Sequence, residues 1–213
     1  MNIDKLIKLR QIEQEFRSSF YWKMEQIFRR EFPHKIDRFY ESTSQRQIMS
    51  KQWLVTELAK IYQPTKPINI EIIGGWFGFP LIDLLYNTFT INRIHFFEIE
   101  EFCKDITKKY NVISKYNINI EYDDSRFALT TKTSPDLVIN TAQEHMLCLT
   151  KDLYANNPMI AVHSNNCDWD DEHWNAHTSL QDFIDSMKLK TLHYSGEKYV
   201  GEFDRYQLIG NFE

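Results

Sequence analysis

The stretch EIIGGWFG, residues 71–78, decides the fold. It joins a short apolar run to a turn that holds three of the six glycines in the 213-residue chain. A glycine turn after the first strand of an open α/β sheet lets the backbone approach a ligand and presents a helix N-terminus to it. We therefore expect Gly74, Gly75 and Gly78 to line a ligand site, although a tight turn without a ligand explains the same glycines.

Short apolar runs alternate with helical stretches after this turn. Strands are predicted at 68–73, 94–98, 118–122, 136–140, 159–163, 191–195 and 205–209, and helices at 81–86, 101–111, 144–155 and 178–187. The alternation is typical of βα units, whereas the last two strands leave no room for a crossover helix and should pair antiparallel. The pattern predicts an α/β fold with a seven-stranded, mainly parallel sheet and a C-terminal antiparallel hairpin.

The first sixty residues show apolar residues at helical spacing. Such residues recur at every fourth position from Phe16 to Phe28, which predicts an amphipathic helix that ends before Pro33. A second helix is predicted after Ser44, which matches a capping box together with Gln47. This part of the chain is therefore expected to be helical.

The best candidate for a domain boundary is QPTKP, residues 63–67. Two prolines within four residues remove backbone donors and disfavour helix before them. The sequence thus predicts an N-terminal helical extension at residues 1–66 and an α/β domain at residues 67–213.

Composition and charge exclude several classes of protein. The chain is 42% hydrophobic and 26% charged, which is a globular composition, and no window approaches the roughly 18 apolar residues of a membrane span. Residues 1–60 contain 12 Lys/Arg and 8 Asp/Glu, a net charge of +4, whereas residues 61–213 contain 13 and 22, a net charge of −9. Binding to duplex DNA requires clustered cations, so an acidic body is not expected to bind duplex DNA. Because no membrane span is present in the sequence, a membrane is not expected as a partner either.

The cysteines and the N-terminus indicate the compartment. Three cysteines without paired spacing suit a reducing environment, and the first residues resemble no targeting signal. A cytoplasmic location is therefore expected.

Acidic residues end the second and third predicted strands. Glu98 lies twenty residues after Gly78, where an acid can bind the hydroxyls of a ribose, although it also suits an acidic helix N-terminus. Asp123 and Asp124 follow the third strand. They are expected either to contact the exocyclic amine of an adenine or to form a turn.

Together these motifs resemble the class I S-adenosylmethionine-dependent methyltransferases. The resemblance covers residues 68–213, because the family also has the strand DLVIN and the terminal hairpin, which NAD-binding Rossmann domains typically lack. It implies a Rossmann-like sheet, S-adenosyl-L-methionine as cofactor and methyl transfer. More narrowly, GGWFG, DLVINTAQEHM and YSGE resemble small methyltransferase-like proteins of tailed bacteriophages, which would place the protein in the host cytoplasm.

Two positions depart from the family pattern. Trp76 replaces the middle glycine of G-x-G-x-G, and Glu71 lies three positions before the first glycine, where the family has an acid two positions before it. Because side chains alternate across a strand, Glu71 and Ile72 point to opposite faces, so a bulge re-aims Glu71 or the methionine amino group has another partner. Trp76 would either cover the cationic sulfonium or serve as a core aromatic.

The family resemblance places the loop after the fourth strand beside the transferred methyl group. Here Asn140 is expected to contact the cofactor or substrate, and Glu144 and His145 to act as acid or base. Alternatively, Glu144 stabilises a helix N-terminus and His145 is merely exposed. The chain lacks N/D-P-P-Y/F and Pro-Cys signatures, which argues against the amino and cytosine-C5 methyltransferase chemistries.

A polar loop follows the fifth predicted strand. It contains His163, Cys167, His173 and His177, which are able to bind zinc, but their spacing matches no zinc module. We expect a polar loop over the mouth of the site and no metal site.

The basic N-terminal segment has two interpretations. Its aromatic residues pack on the sheet while its charges remain solvated, or residues 45–53 cover the glycine turn as a lid, with Arg46 or Lys51 touching the substrate.

These features predict S-adenosylmethionine-dependent methyl transfer to a small-molecule or nucleotide-like acceptor. One alternative is a non-catalytic methyltransferase fold that binds a protein partner through the N-terminal helices. Another is an enzyme that consumes the cofactor without methyl transfer.

Overall fold

The structure of the protein, a computed structural model, describes residues 19–114, 118–122, 132–167 and 173–213. The helices are α1 (Ser19–Glu31), α2 (Ile36–Ser42), α3 (Gln45–Ile61), α4 (Leu81–Thr88), α5 (Glu101–Ser114) and α6 (Leu180–Met187). The strands are β1 (Ile68–Ile73), β2 (Ile91–Glu98), β3 (Ile118–Tyr122), β4 (Leu137–Asn140), β5 (Met159–Asn165), β6 (Thr191–Tyr199) and β7 (Asp204–Asn211). The predicted mixed α/β class is confirmed.

The strands form one sheet in the order β3-β2-β1-β4-β5-β7-β6. Strands β1 to β5 are parallel, and β7 lies antiparallel between β5 and β6. The chain leaves β1 towards β2 and later returns to the other side of β1 with β4. Strand order therefore reverses at β1 and β4, and ligands bind at such a switch point in open α/β sheets.

Each face of the sheet is covered by a separate apolar core. Because side chains alternate along a strand, Ile70 and Ile72 face the N-terminal helices, whereas Ile73 faces α6. Phe28 of α1 and Leu54 of α3 are fully buried in the first core. The helical segment therefore packs directly on the sheet, while a domain boundary at residues 66 and 67 stays a prediction.

The segment after β4 differs from its prediction. The sequence predicts a helix at 144–155, but the structure has two single 3₁₀ turns, Gln143–His145 and Lys151–Leu153. The Gln143 side-chain amide donates to the carbonyls of Met146 and Leu147, at 3.2 and 2.8 Å. Such side-chain bonds occupy backbone carbonyls that a helix would use, so the predicted helix is wrong.

The helix ends also differ in part from expectation. Helix α1 ends at Glu31, before Pro33, as predicted, whereas Phe16 lies outside the described residues. Ser44 precedes α3 but makes no side-chain cap bond, and Gln47 instead accepts a hydrogen bond from Lys51. In the described ranges, no helix is both long enough and apolar enough to cross a bilayer.

Candidate functional site

A pocket of about 220 Å³ opens at the carboxyl ends of β1 and β4. Gly74, Gly75 and Trp76 line one side, and Thr141 and Ala142 line the side that follows β4. The pocket thus occupies the switch point of the sheet, between the glycine turn and the loop after β4.

The glycine turn is packed tightly against its own chain. A Cβ atom on Gly75 would lie 2.8 Å from the Phe96 ring. Gly78 adopts a φ of +70°, faces Ile82 and does not line the pocket. Packing therefore accounts for glycine at these two positions, and their contact with a ligand stays a prediction.

Trp76 takes the position of the family's middle glycine in a left-handed conformation. Its φ is 52°, which costs an ordinary residue about 1–2 kcal/mol. Its indole ring lines the pocket and lies 5.6 Å from the Arg38 guanidinium, measured to the ring centroid. The aromatic face expected to cover the sulfonium thus already contacts a cation, and the sulfonium contact stays a prediction.

Glu98 ends β2, and its carboxylate holds the glycine turn in place. One oxygen accepts the Trp76 N–H at 2.7 Å, and the other accepts the Ile99 and Glu100 N–H groups at 2.9 and 3.2 Å. Burial raises the pKa of this carboxyl to about 7, against the opposing effect of these N–H donors. The ribose contact of Glu98 stays a prediction.

Glu71 lies away from the pocket. It is buried in β1, and its carboxylate accepts a 2.9 Å hydrogen bond from the Thr133 hydroxyl. No bulge turns it towards the glycine turn, since β1 pairs regularly with its neighbours from Asn69 to Ile73. Asp123 and Asp124 lie outside the described residues.

Asn140 organises the loop after β4. Its side-chain oxygen accepts the Ala142 N–H at 2.9 Å, and its amide donates to the Gln143 side chain at 3.1 Å. The residue is fully buried and does not line the pocket. Its predicted cofactor contact stays a prediction.

Glu144 lies on the pocket wall in a buried ion pair. Its Oε1 accepts hydrogen bonds from Arg205 at 3.0 Å and from Asn165 at 2.6 Å. Among the described residues, its Oε2 has no hydrogen-bond partner, although the residue is only 2% exposed. This oxygen is available to a ligand.

His145 and His173 meet beside Glu144. Their ring centroids lie 4.5 Å apart at 77°, and one ligand atom from each of the three residues lies within 4.8 Å of the others. Asn175 holds the two segments together, since it donates to the Met146 and Glu144 carbonyls at 2.8 and 2.9 Å. No sequence spacing signals this cluster, because it depends on contacts between two distant loops.

Two histidines of the predicted zinc-capable set are buried elsewhere. His163 contacts Ser50 and Gln207 through its two ring nitrogens, at 3.2 and 2.9 Å. His177 likewise contacts Ser164 and Ser186, at 2.7 and 2.8 Å. Both rings therefore make hydrogen bonds inside the protein and do not line the pocket, whereas Cys167 and His173 do line it.

Helix α3 forms a further wall of the pocket. Arg46, Gln47 and Lys51 line it, and Lys51 is 7% exposed and donates to Gln47 at 2.5 Å. Burial lowers the pKa of the Lys51 ammonium to about 7, and the nearby Arg205 charge lowers it further while Glu144 opposes the shift. The aromatic residues of the N-terminal segment pack on the sheet, and Arg46 and Lys51 line the pocket, while their contact with a substrate stays a prediction.

Comparison with known proteins identifies the fold. No family model matches the chain, and no curated protein matches it. Among solved structures, the CurJ carbon methyltransferase is similar at a TM-score of 0.61 and 9% identity, over 84% of this chain and 59% of that one. The N-methyltransferase NodS from Bradyrhizobium japonicum is similar at 0.59 and 12%, over 80% and 98%. A putative sarcosine dimethylglycine methyltransferase from Galdieria sulphuraria is similar at 0.55 and 12%, over 78% and 86%. At these identities the likeness is one of fold alone, and it is a fold that these methyltransferases share.

Proposed function

We propose that this chain binds S-adenosyl-L-methionine and transfers its methyl group to a small-molecule or nucleotide-like acceptor. The observation that carries the proposal is the position of the pocket, at the switch point of a methyltransferase-like sheet. The named neighbours include a nitrogen and a carbon methyltransferase, so they do not narrow the acceptor.

The pocket residues fit the amino-acid part of the cofactor. Arg38 and Arg46 supply cations for its carboxylate, and Glu41 supplies an acceptor for its amino group. The volume of about 220 Å³ is below the roughly 300–1,000 Å³ of pockets that bury drug-sized ligands. The adenosine part would therefore extend beyond this pocket, towards Glu98 and the predicted contacts at Asp123 and Asp124.

We assign the role of base to Lys51. When bound, the cofactor supplies a methyl group activated by a cationic sulfur, so proximity and a weak base suffice for its transfer to nitrogen or oxygen. A buried amine with a pKa of about 7 is half neutral at that pH and can take the proton that the acceptor loses. Glu144 and His145 lie on the same pocket and would contact the acceptor.

Calorimetry with S-adenosylmethionine and S-adenosylhomocysteine tests the cofactor assignment. We expect one binding site for each, weakened about tenfold to a hundredfold in Arg38→Met, since a charge-assisted hydrogen bond contributes about 1.5–3 kcal/mol. Arg30→Met is the matched control, because Arg30 pairs with Glu31 and does not line the pocket. Absence of heat with either ligand at millimolar concentration would remove the proposal.

The pH profile tests Lys51. With an acceptor that is turned over, the rate should rise with pH through about 7, because only the neutral amine accepts a proton. Lys51→Met should be slower by about a hundredfold or more and should lose this rise. An unchanged profile in the variant would exclude Lys51 as the base.

A protein-binding role is the second candidate. It is favoured by Glu98, whose two oxygens are already engaged by backbone N–H groups, and by the exposed Trp22, 60% accessible, on α1. Purification without cofactor but with a stable protein partner would favour this role. Mass spectrometry of the products would reveal the third alternative, consumption of the cofactor without methyl transfer.

A cytoplasmic location, in the host if a phage encodes the chain, is part of the proposal. Cys103, Cys148 and Cys167 are present as thiols in the structure, which suits a reducing compartment. Alkylation of all three in denatured protein taken directly from cells is the expected result, and a disulfide would contradict it.

A further inference from the structure

We propose that Glu144, His145 and His173 form a binding site for a divalent transition-metal ion on the pocket wall. One ligand atom of each lies within 4.8 Å of the others, and all three residues line the pocket. Two imidazoles and a carboxylate form a donor set suited to zinc or iron(II), whereas magnesium and calcium prefer oxygen donors alone.

The Glu144 carboxylate has the arrangement of a metal ligand with supporting contacts. Arg205 and Asn165 hold Oε1, and Oε2 has no hydrogen-bond partner in the described part of the chain. A buried carboxylate oxygen is costly to leave unpaired, and a bound cation would satisfy it. This oxygen is an observation independent of the distances among the three side chains.

The His173 ring is also held in a suitable tautomer. Its Nδ1 lies 3.2 Å from the Cys167 carbonyl oxygen, which can only accept, so Nδ1 carries the hydrogen. The lone pair is then on Nε2, where the ring can bind a metal. Histidines that bind metals commonly donate their second N–H to a carbonyl in this way.

The three donor atoms must move closer together to bind a metal ion. Zinc bonds of roughly 2.0–2.2 Å place tetrahedral donor atoms about 3.3 Å apart, so the donors must approach by about 1 Å or slightly more. His145, His173 and Glu144 all border the pocket, so this approach can be shared among the three side chains.

A metal ion bound at this site would also be able to bind the methyl acceptor. Three protein ligands leave at least one coordination position open, as in catalytic zinc sites. An acceptor with an oxygen or nitrogen donor could bind there beside the glycine turn. This last step rests on the proposed methyl transfer, whereas binding of the ion does not.

Zinc titration of chelator-treated protein tests the site. We expect one zinc ion per chain, bound at least tenfold more weakly by His145→Ala and by His173→Ala. His193→Ala is the matched control and should bind as the unsubstituted protein does, since His193 is exposed on β6 and contacts Asn211. Equal zinc affinity of the unsubstituted protein and the His145→Ala/His173→Ala double variant would overturn the inference.

Two further measurements separate the possible failures. Cobalt(II) added in place of zinc should give visible absorption bands that the double variant lacks, and far-ultraviolet circular dichroism should show that both proteins are folded. S-adenosylhomocysteine titrated into the same preparations reports on the proposed function. Cofactor binding without a metal site overturns only this inference, and a metal site without cofactor binding supports it while removing the proposed methyl transfer.

Discussion

The two sides of the pocket satisfy their polar groups differently. On the β1–β2 side, both oxygens of Glu98 accept backbone N–H groups, and Phe96 and Ile82 fill the space beside the glycines. On the β4–β5 side, Glu144 Oε2 and Arg205 Nε are buried without a hydrogen-bond partner among the described residues. Among the described residues, the Glu98 carboxylate is already engaged by backbone N–H groups, whereas the second side has a donor and an acceptor left for a ligand.

The most recognisable sequence motif and these unsatisfied polar groups therefore lie on different sides of the pocket. The glycine turn is the most recognisable motif, yet much of its geometry is explained by packing and by Glu98. The unsatisfied groups of Glu144 and Arg205 lie on the other side of the pocket, in the loop after β4 and on β7. Breaking contacts on each side should therefore have distinct consequences.

The largest effect is expected from Arg205→Met. It leaves the Glu144 carboxylate buried without its cation, which should lower the free energy of unfolding by about 3–5 kcal/mol. Urea unfolding followed by circular dichroism measures the loss. Adding Glu144→Gln to this variant should restore a large part of the lost free energy of unfolding. A loss below about 1 kcal/mol in Arg205→Met alone would show that this ion pair does not stabilise this side of the pocket.

Gly78→Ala tests the packed side. The new methyl group meets Ile82 and the φ of +70° disfavours alanine, so we expect a loss of about 2–4 kcal/mol in the free energy of unfolding. Gly201→Ala is the control, because Gly201 also has a positive φ but has open space around it. A loss of only about 1–2 kcal/mol in Gly78→Ala, the cost of the backbone conformation alone, would mean that strain, and not packing, requires Gly78.

Glu98 should make stability depend on pH. Its folded pKa of about 7 lies above the ordinary value of 4.5, so folding disfavours the ionised form. The Glu98 contribution is complete below pH 4.5 and is lost as pH rises to about 7, a decrease of about 3 kcal/mol. The unsubstituted protein should therefore lose free energy of unfolding relative to Glu98→Gln as pH rises through this range.

The control for this titration is Glu100→Gln, since Glu100 is partly exposed and follows Glu98 directly. A difference between the unsubstituted protein and Glu98→Gln that stays constant from pH 4.5 to 8 would contradict the raised pKa.

Trp76 gives the smallest expected effect. Trp76→Gly and Trp76→Ala both remove the indole, but only glycine is free of the strain at a φ of 52°, so the glycine variant should be more stable by about 1 kcal/mol. Urea unfolding compares them. The ratio of S-adenosylmethionine to S-adenosylhomocysteine affinity should fall in both variants if the ring covers the sulfonium, and an unchanged ratio would exclude that contact.

Much of the sheet was predictable because its buried strands are continuous apolar runs. The predicted range 68–73 coincides with β1, and Glu98 falls at the end of β2 as expected. The helix predicted at 144–155 failed because the Gln143 side chain takes the Met146 and Leu147 carbonyls. Periodicity contains no information about such a contact.

The site was predictable only in its position. The glycine turn and the loop after β4 do border one pocket, but the partners of each side chain depend on contacts between distant segments. Asn175 brings His173 to His145, and burial by the surrounding chain moves the pKa of Lys51. Such effects follow from the folded geometry and not from residue spacing.

The ion pair between Arg46 and Glu202 makes the pocket walls sensitive to ionic strength. It joins α3 to the turn between β6 and β7, two pocket walls separated by 156 residues in the chain. Both side chains are partly exposed, so the pair adds little to stability and is screened by salt. As ionic strength rises, the two walls should therefore separate more readily, and Arg46 should also attract an anionic group of a ligand less strongly.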